Sequence, residues 1–273
     1  KTSNHRLARR AQTRAPSAGH NLWLPIRGCL VTMNSSRSAD ITVLYRDEYL
    51  LAVDKPAGII VHDDGCDTKT LTDQVRSLLL EEDAQRAAQD LQALNRLDRD
   101  TTGIVLFSLN KETQPAFDAL ISAHETSKRY LAICCGIPTW KNKLIDAPLG
   151  RDRHDARRMR ISKGGKAAQT RVSVLATRAR NSTTPDLSLL DVELLTGRKH
   201  QIRVHLASLG LPLLGDELYG RPVRRSGNKR YPLMLHARLM SFLHPVTHED
   251  VTIQAPIPHR MRTLFPQDAG ENQ

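Results

Sequence analysis

The chain predicts an α+β fold with mixed or antiparallel strand pairing. Strand-like runs adjoin one another as often as they adjoin helices, which argues against a doubly wound parallel sheet. No internal repeat or low-complexity segment breaks the pattern. The 273 residues, 40% of them hydrophobic, suffice for a sizeable core in one large domain or two small ones.

Taken in order, Ile41–Tyr45 and Leu50–Val53 are β-branched and apolar, are separated by Arg-Asp-Glu-Tyr, and read as a β-hairpin. Lys55-Pro-Ala-Gly58 then turns the chain. Leu71, Val75, Leu78 and Leu79 recur at helical spacing after a Thr-rich start, and Glu81 to Gln89 continues that helix weakly. Ile104–Leu109 is a buried-strand run. Lys111–His124 reads as a helix with Phe117, Leu120 and Ile121 inward, and Arg129–Cys135 as the next strand. Leu187–Leu195 is another strand, Gln201–Leu209 a short helix, and Leu233–Phe242 and Val251–Ile253 close the sheet.

Forty Lys and Arg against 29 Asp and Glu give +11, which favours an anionic partner such as RNA. Six of those charges (Lys1, Arg6, Arg9, Arg10, Arg14 and Arg27) lie in the first 32 residues, which hold no acid, so the body is only moderately basic. Cys29, Cys66, Cys134 and Cys135 show no C-x-x-C spacing, and the adjacent pair cannot readily bridge, so a reduced intracellular chain is expected rather than a disulfide framework. No apolar run approaches the roughly 18 residues that span a bilayer, so no membrane partner is expected.

Residues 1–40 are expected to be a disordered or non-native N-terminal extension, with Met33 as the native start. Their Arg content also fits a mitochondrial transit peptide. The location expected is cytoplasmic, or mitochondrial if the extension is genuine. Residues 41–262 are assigned to a catalytic domain and 263–273 to a flexible tail.

The most informative stretch is Leu94-Asn-Arg-Leu-Asp-Arg-Asp-Thr-Thr-Gly-Ile-Val-Leu-Phe107. Its R-L-D-x-x-T-x-G turn runs into a buried strand and puts one carboxylate, Asp98, at the strand entrance. Alone, the motif fits a surface ion pair in a turn equally well. A second block, Leu195 to Gly220, carries T-G-R-x-H-Q-I-R-x-H followed by G-x-P-x-x-G-D-x-x-Y-G. Three shorter matches keep the same order: Lys55-Pro-Ala-Gly58 with Val61-His62, Lys128-Arg-Tyr-Leu-Ala132, and Leu235-His-Ala-Arg-Leu239 with His244-Pro-Val-Thr247. Together these segments, from about Ile41 to Pro258, resemble the RluA-type pseudouridine synthases. Asn95 departs from that pattern, where most members have His. The 40 residues before Ile41 are too few and too irregular for the S4 RNA-binding domain that many members carry.

The resemblance implies a bent, largely antiparallel mixed sheet with flanking helices and an active-site cleft. It also implies isomerisation of uridine in structured RNA, ribosomal or transfer, by base flipping. The chemistry breaks the bond from ribose to uracil nitrogen, turns the base and rejoins it through carbon 5. No redox step or transferred group enters, so no cofactor is expected.

Asp98 matches the catalytic carboxylate, acting as nucleophile or as base. Arg203 matches its pairing residue, and its planar fork is suited to holding a carboxylate bidentately. Tyr130 matches the active-site Tyr that stacks on the uracil and helps remove its carbon-5 proton. Arg96 matches a position that displaces the target base in some relatives; an Arg contacting phosphate would look the same. Thr101, Arg198 and His200 complete the signatures as substrate-binding candidates, and Lys55 and Pro56 are assigned to support of the cleft floor.

Arg151 to Arg171 holds eight Lys or Arg against Asp152 and Asp155, and resembles the family's basic hairpin. Arg157, Arg158 and Arg160 are expected to contact phosphates, with Arg221 to Arg230 as a second basic loop. His200, His205, His236 and His244 follow no metal-ligand spacing, so no metal is expected. A monomer is expected. The competing class is an RNA-binding or RNA-chaperone protein that keeps the fold without activity, which the presence of Asp98, Tyr130 and Arg203 disfavours. A metal-dependent phosphoesterase is disfavoured by the lack of clustered ligands.

Overall fold

The computed structural model describes residues 41–62, 68–181, 184–223 and 229–266. The N-terminal extension, Cys29, Cys66 and part of the second basic loop, including Arg224 and Arg225, lie outside them. The described chain runs β1 (Thr42–Arg46), β2 (Leu50–Lys55), α1 (Leu71–Glu81), α2 (Gln85–Asp90), β3 (Gln92–Ala93), β4 (Thr102–Ser108), α3 (Gln114–Ser122) and β5 (Ser127–Cys135). It continues with β6 (Asn142–Asp146), β7 (Leu149–Arg151), β8 (Met159–Ile161), β9 (Gln169–Arg178), β10 (Leu187–Leu194), α4 (Gln201–Ser208), β11 (Leu235–Leu243), β12 (Asp250–Gln254) and α5 (His259–Arg262).

Ten strands form one sheet in the order β1-β2-β4-β11-β5-β10-β9-β6, with β12 added to β11 and β3 to β4; β7 and β8 form a separate hairpin. Every pairing is antiparallel except β4 with β11, which are parallel. The α+β expectation and the largely antiparallel sheet are therefore correct.

Helices cover both faces, as the alternation along the strands shows. On β4, Ile104 and Leu106 join Phe117 and Leu120 of α3, whereas Val105 and Phe107 join Leu71, Val75 and Leu79 of α1. On β5, Tyr130 and Ala132 join Ile202 and Leu206 of α4, whereas Leu131 and Ile133 join Met261 just before the chain leaves α5. Each fully buried side chain of this size contributes about 1.5–3 kcal/mol.

Several expected boundaries move. The first helix does not continue through Gln89: it stops at Glu81 once its apolar stripe ends, and Asp83 takes a left-handed φ of 57° before α2 begins. The helix expected over Lys111–His124 is cut to Gln114–Ser122. Asn110 Oδ1 accepts from the Glu112 and Thr113 N–H groups and makes the preceding residues a turn, while Ile121 is only half buried.

The basic ribbon is also shorter than expected. Arg171 belongs to β9, a ten-residue strand of the main sheet, and pairs with Glu193 across β10. The flexible tail expected over 263–273 fails at its start, where Leu264 and Phe265 are buried against β5 and β10 and Arg178 Nη1 donates to the Leu264 carbonyl at 2.9 Å; residues 267–273 lie outside the described residues.

Candidate active site

The site begins at a change of strand partners. One edge of β4 pairs with β2 from Gly103 to Ser108. The other edge is shared: β11 takes Thr102 and Gly103, and β3 takes Phe107 and Ser108. Between them, backbone groups of Ile104 and Leu106 would be left without a strand partner, and such groups must be satisfied when buried.

Leu94 N–H takes the Leu106 carbonyl at 2.8 Å. The Asn95 side chain completes the repair, its Oδ1 accepting from Leu106 N–H at 2.7 Å and its Nδ2 donating to the Ile104 carbonyl at 3.3 Å. An amide thus imitates the missing peptide group, three residues before Asp98. Gly103 permits the adjoining contact: its φ is +109°, and a Cβ there would lie 2.2 Å from the Ala237 carbonyl oxygen of β11.

The loop 96–101 rises from this junction. Thr101 N–H closes its turn on the Asp98 carbonyl at 3.1 Å. Lys55 is fully buried, and its ammonium donates to three carbonyls: Pro56 at 2.9 Å, Ile59 at 2.7 Å and Arg99 at 2.7 Å. It ties the early turn to the Asp98 loop, the supporting role expected for it. Burial pushes its pKa down to about 8, against the pull of Asp100 and Asp98.

Asp98 is reached by two residues of the downstream signature. Arg203 Nη1 donates to its Oδ2 at 3.0 Å, and His200 Nε2 lies 3.8 Å from the same oxygen. Among the described residues, its Oδ1 has no hydrogen-bond donor. The expected bidentate grip on Asp98 is not what Arg203 makes. Its Nε and Nη2 instead hold Asp216 at 2.8 and 2.9 Å. Asp216 is the better partner for the fork because it is buried and also receives the Leu218 and Tyr219 N–H groups. Burial opposes the Asp216 charge, but Arg203 and the two N–H groups outweigh it and hold the carboxyl below its usual range.

Tyr219 completes the cluster. Its Oη bonds His200 Nδ1 at 2.8 Å and receives Met159 N–H at 2.7 Å, and the guanidinium carbons of Arg203 and Arg158 lie 5.2 and 5.3 Å from its ring centre. His200 sits at the N-cap of α4 with a left-handed φ of 56°, a conformation that costs a β-carbon residue about 1 kcal/mol. Burial, then Arg203 and Lys199, push its pKa down against the pull of Asp98, so at neutral pH it is an uncharged imidazole rather than half of an ion pair.

Tyr130 projects from β5 into the cluster beneath α4 and is 7% exposed. Burial and then the nearby Asp98 charge push its phenol pKa up, so it is a neutral phenol at ordinary pH.

The structure thus brings Asp98, Arg203, His200 and Tyr130 together. Other expected site residues land differently. Thr101 is 2% exposed, because the turn onto Asp98 directs it inward; this removes it from the substrate-facing surface. Arg198 commits its Nε to the Ala167 carbonyl at 3.0 Å. Arg96 is exposed beside His62 and helps lower that residue's pKa. Arg157 is exposed and pairs with Asp155 at 2.8 Å, Arg160 is exposed, and Arg158 is half buried against Tyr219 rather than open to phosphates.

Gln201 and His205 prove to be braces. Gln201 Nε2 donates to Thr170 Oγ1 at 2.9 Å and its Oε1 accepts the Arg198 N–H at 3.0 Å. His205 bonds Thr170 Oγ1 and the Ala147 carbonyl, both at 2.9 Å. Asp216 and Tyr219 were missed as site residues, although both stand in the G-D-x-x-Y-G signature. Among the described residues no group of three His, Cys, Asp or Glu side chains is placed to hold a metal, and no helix is long and apolar enough to cross a membrane.

A carboxylate held by a buried guanidinium at the partner switch of a mostly antiparallel sheet is the arrangement that the sequence resemblance implies for an active site. Residues 49–208 match the family model described as RNA pseudouridylate synthase. The chain is similar to the uncharacterized RNA pseudouridine synthase YhcT of Bacillus subtilis, at 36% identity over 82% of this chain and 71% of that protein. It is also similar to the ribosomal large subunit pseudouridine synthase D of Xanthomonas campestris, at 34% over 82% and 68%. A third relative is the tRNA pseudouridine synthase C of Haemophilus ducreyi, at 34% over 84% and 96%.

Among solved structures, human RNA Pseudouridylate Synthase Domain Containing 1 superposes with a TM-score of 0.66 at 26% identity, covering 82% of this chain and 86% of that one. The chain belongs to the RNA pseudouridylate synthase family, whose members isomerise uridine to pseudouridine in RNA.

Proposed function

We propose that the protein converts selected uridines of structured ribosomal or transfer RNA to pseudouridine, with Asp98 as the reacting carboxylate. The observation that carries this reading is the ordered pair Asp98–Arg203. Arg203 is anchored by Asp216 and can only present Nη1, and that nitrogen takes Oδ2 of Asp98. The carboxylate is thereby oriented before substrate arrives, and Oδ1 is the oxygen left for the ribose. Attack at the anomeric carbon and removal of a sugar proton both use that one oxygen.

The bond from the anomeric carbon to nitrogen 1 breaks, the base turns, and a bond to carbon 5 forms. The carbon-5 proton leaves and nitrogen 1 gains one, so nothing is consumed. Tyr130 offers the base an aromatic face and a protonated hydroxyl; its raised pKa argues against a phenolate base. Arg151, Arg153, Arg157 and Arg160 of the β7–β8 hairpin are exposed and supply phosphate contacts. The similarity to enzymes named for ribosomal and for transfer RNA supports both substrate classes and separates neither. The intact Asp98–Arg203–Asp216 cluster disfavours the inactive RNA-chaperone alternative.

The test is tritium release from carbon-5-tritiated ribosomal and transfer RNA taken from cells lacking the gene. Release that survives chelation and maps to a few uridines is expected. No release from either RNA would overturn the reading, and loss on chelation restored by zinc or magnesium would revive metal chemistry.

A further inference from the structure

The β7–β8 hairpin meets the catalytic cluster at Tyr219, whose hydroxyl bonds both the hairpin backbone and His200. Met159 N–H donates to Tyr219 Oη, and the same hydroxyl is free to donate its own hydrogen to its other close partner, Nδ1 of His200. An uncharged imidazole that accepts at Nδ1 carries its proton on Nε2. That is the atom 3.8 Å from Asp98 Oδ2. The ring of Tyr219 makes a second bridge, with Arg158 of the hairpin and Arg203 of the catalytic pair both within about 6 Å of its centre. The backbone beneath it is pinned by Asp216 Oδ1, which accepts Tyr219 N–H at 3.1 Å, so the side chain has a fixed base from which to transmit displacement.

We propose that Tyr219 is a positioning residue that couples the hairpin to Asp98: RNA gripped by the hairpin arginines sets Tyr219, and Tyr219 sets His200 and Arg203 around the carboxylate. This rests on the RNA-modifying reading above and deepens it. An RNA that does not engage the hairpin then meets a poorly aligned carboxylate, and is rejected in the rate of reaction rather than in affinity.

Tyr219→Phe keeps the ring and removes both hydroxyl bonds. Its single-turnover rate at saturating RNA should fall roughly tenfold or more, because small displacements of a reacting group carry large rate costs. RNA Kd should stay within about twofold, and the thermal transition should remain cooperative. The paired change Arg153→Ala with Arg160→Ala should lower both affinity and saturated rate in the wild-type background, but only affinity beside Tyr219→Phe. Independent multiplication of the two rate losses, or a wild-type rate for Tyr219→Phe, would overturn the proposal.

Nitrogen-15 NMR of His200 gives a readout separate from turnover. The wild type should show the Nε2–H tautomer, and Tyr219→Phe a mixture. An Nδ1–H tautomer in the wild type, or identical spectra in both, would also overturn it. If the wild type converts no uridine in any RNA offered, the functional reading falls, and the tautomer measurement alone then decides this one. The wild-type spectrum likewise decides if Tyr219→Phe fails to fold.

Discussion

Arg203 gives two nitrogens to Asp216 and one to Asp98: Nε and Nη2 lie 2.8 and 2.9 Å from the Asp216 oxygens, and Nη1 lies 3.0 Å from Asp98 Oδ2. The residue that reacts is therefore aligned by a carboxylate that does not.

Asp216→Asn should damage both stability and rate. The Asp216 side chain is fully buried and that of Arg203 is 10% exposed, and removing one partner of such a pair typically costs about 3–5 kcal/mol. The second Asp216 oxygen becomes an amide nitrogen that cannot accept, so the fork loses one arm and its aim at Asp98. Urea unfolding and single-turnover kinetics should fall together. A stable variant with a wild-type rate would show that Asp98 orients Arg203 unaided.

Asn95→Leu should leave the Leu106 N–H and Ile104 carbonyl without partners at nearly constant volume. The expected loss is about 1–3 kcal/mol of stability, with a lower rate because the Asp98 loop starts at this residue. Hydrogen exchange at the Leu106 amide is the direct monitor. Unchanged protection there would mean that another group fills the gap.

His236 makes one part of the fold's stability acid-sensitive. Burial, then Arg260 and Arg238, hold its pKa at about 4, while an unfolded His titrates near 6.5. Between those values the unfolded chain binds more protons, so stability falls as pH drops through the window, by up to about 3 kcal/mol. Asp54 works the other way: burial raises it to about 6, so its folded carboxyl takes a proton before the unfolded one and gains stability as pH falls. His236→Asn keeps an acceptor for Thr102 Oγ1 and cannot be protonated. Because the two effects oppose one another, urea melts across the window should show His236→Asn gaining stability relative to wild type as pH falls, and parallel curves would remove His236 as a contributor.

Replacing Arg151, Arg153 and Arg160 together by Ala should weaken different RNAs alike and reduce the salt slope of binding by about 0.7 to 0.9 per lost phosphate contact. Arg157, already paired with Asp155, should contribute less, and Arg158, whose guanidinium carbon lies 5.3 Å from the Tyr219 ring centre, should affect the rate most directly. An unchanged slope would place the RNA on another surface.

Much of the site was legible because its residues sit in ordered signatures: Asp98 before the continuous apolar run of β4, Tyr130 on β5, Arg203 on α4. Which carboxylate takes the fork of Arg203 was not, since spacing cannot rank Asp98, 105 residues away, against Asp216, 13 away; burial decides that. β9 was hidden because the charge of Lys166 and Arg171 drew its first residues into a ribbon ending at Arg171, which left Val172 and Val174 beyond it with no strand assigned. The break at Asp83 carries no Gly or Pro to mark it. Leu264 and Phe265 are two apolar residues in a polar tail, too few to show a period.

The central claim is that Asp98 supplies the reacting carboxylate. Asp98→Asn should fold, should bind RNA with nearly wild-type affinity, and should release no measurable tritium from carbon-5-tritiated RNA, because a loss of several kcal/mol in transition-state stabilisation, on the order of 10³-fold or more, is expected. Release within roughly tenfold of wild type would contradict the account.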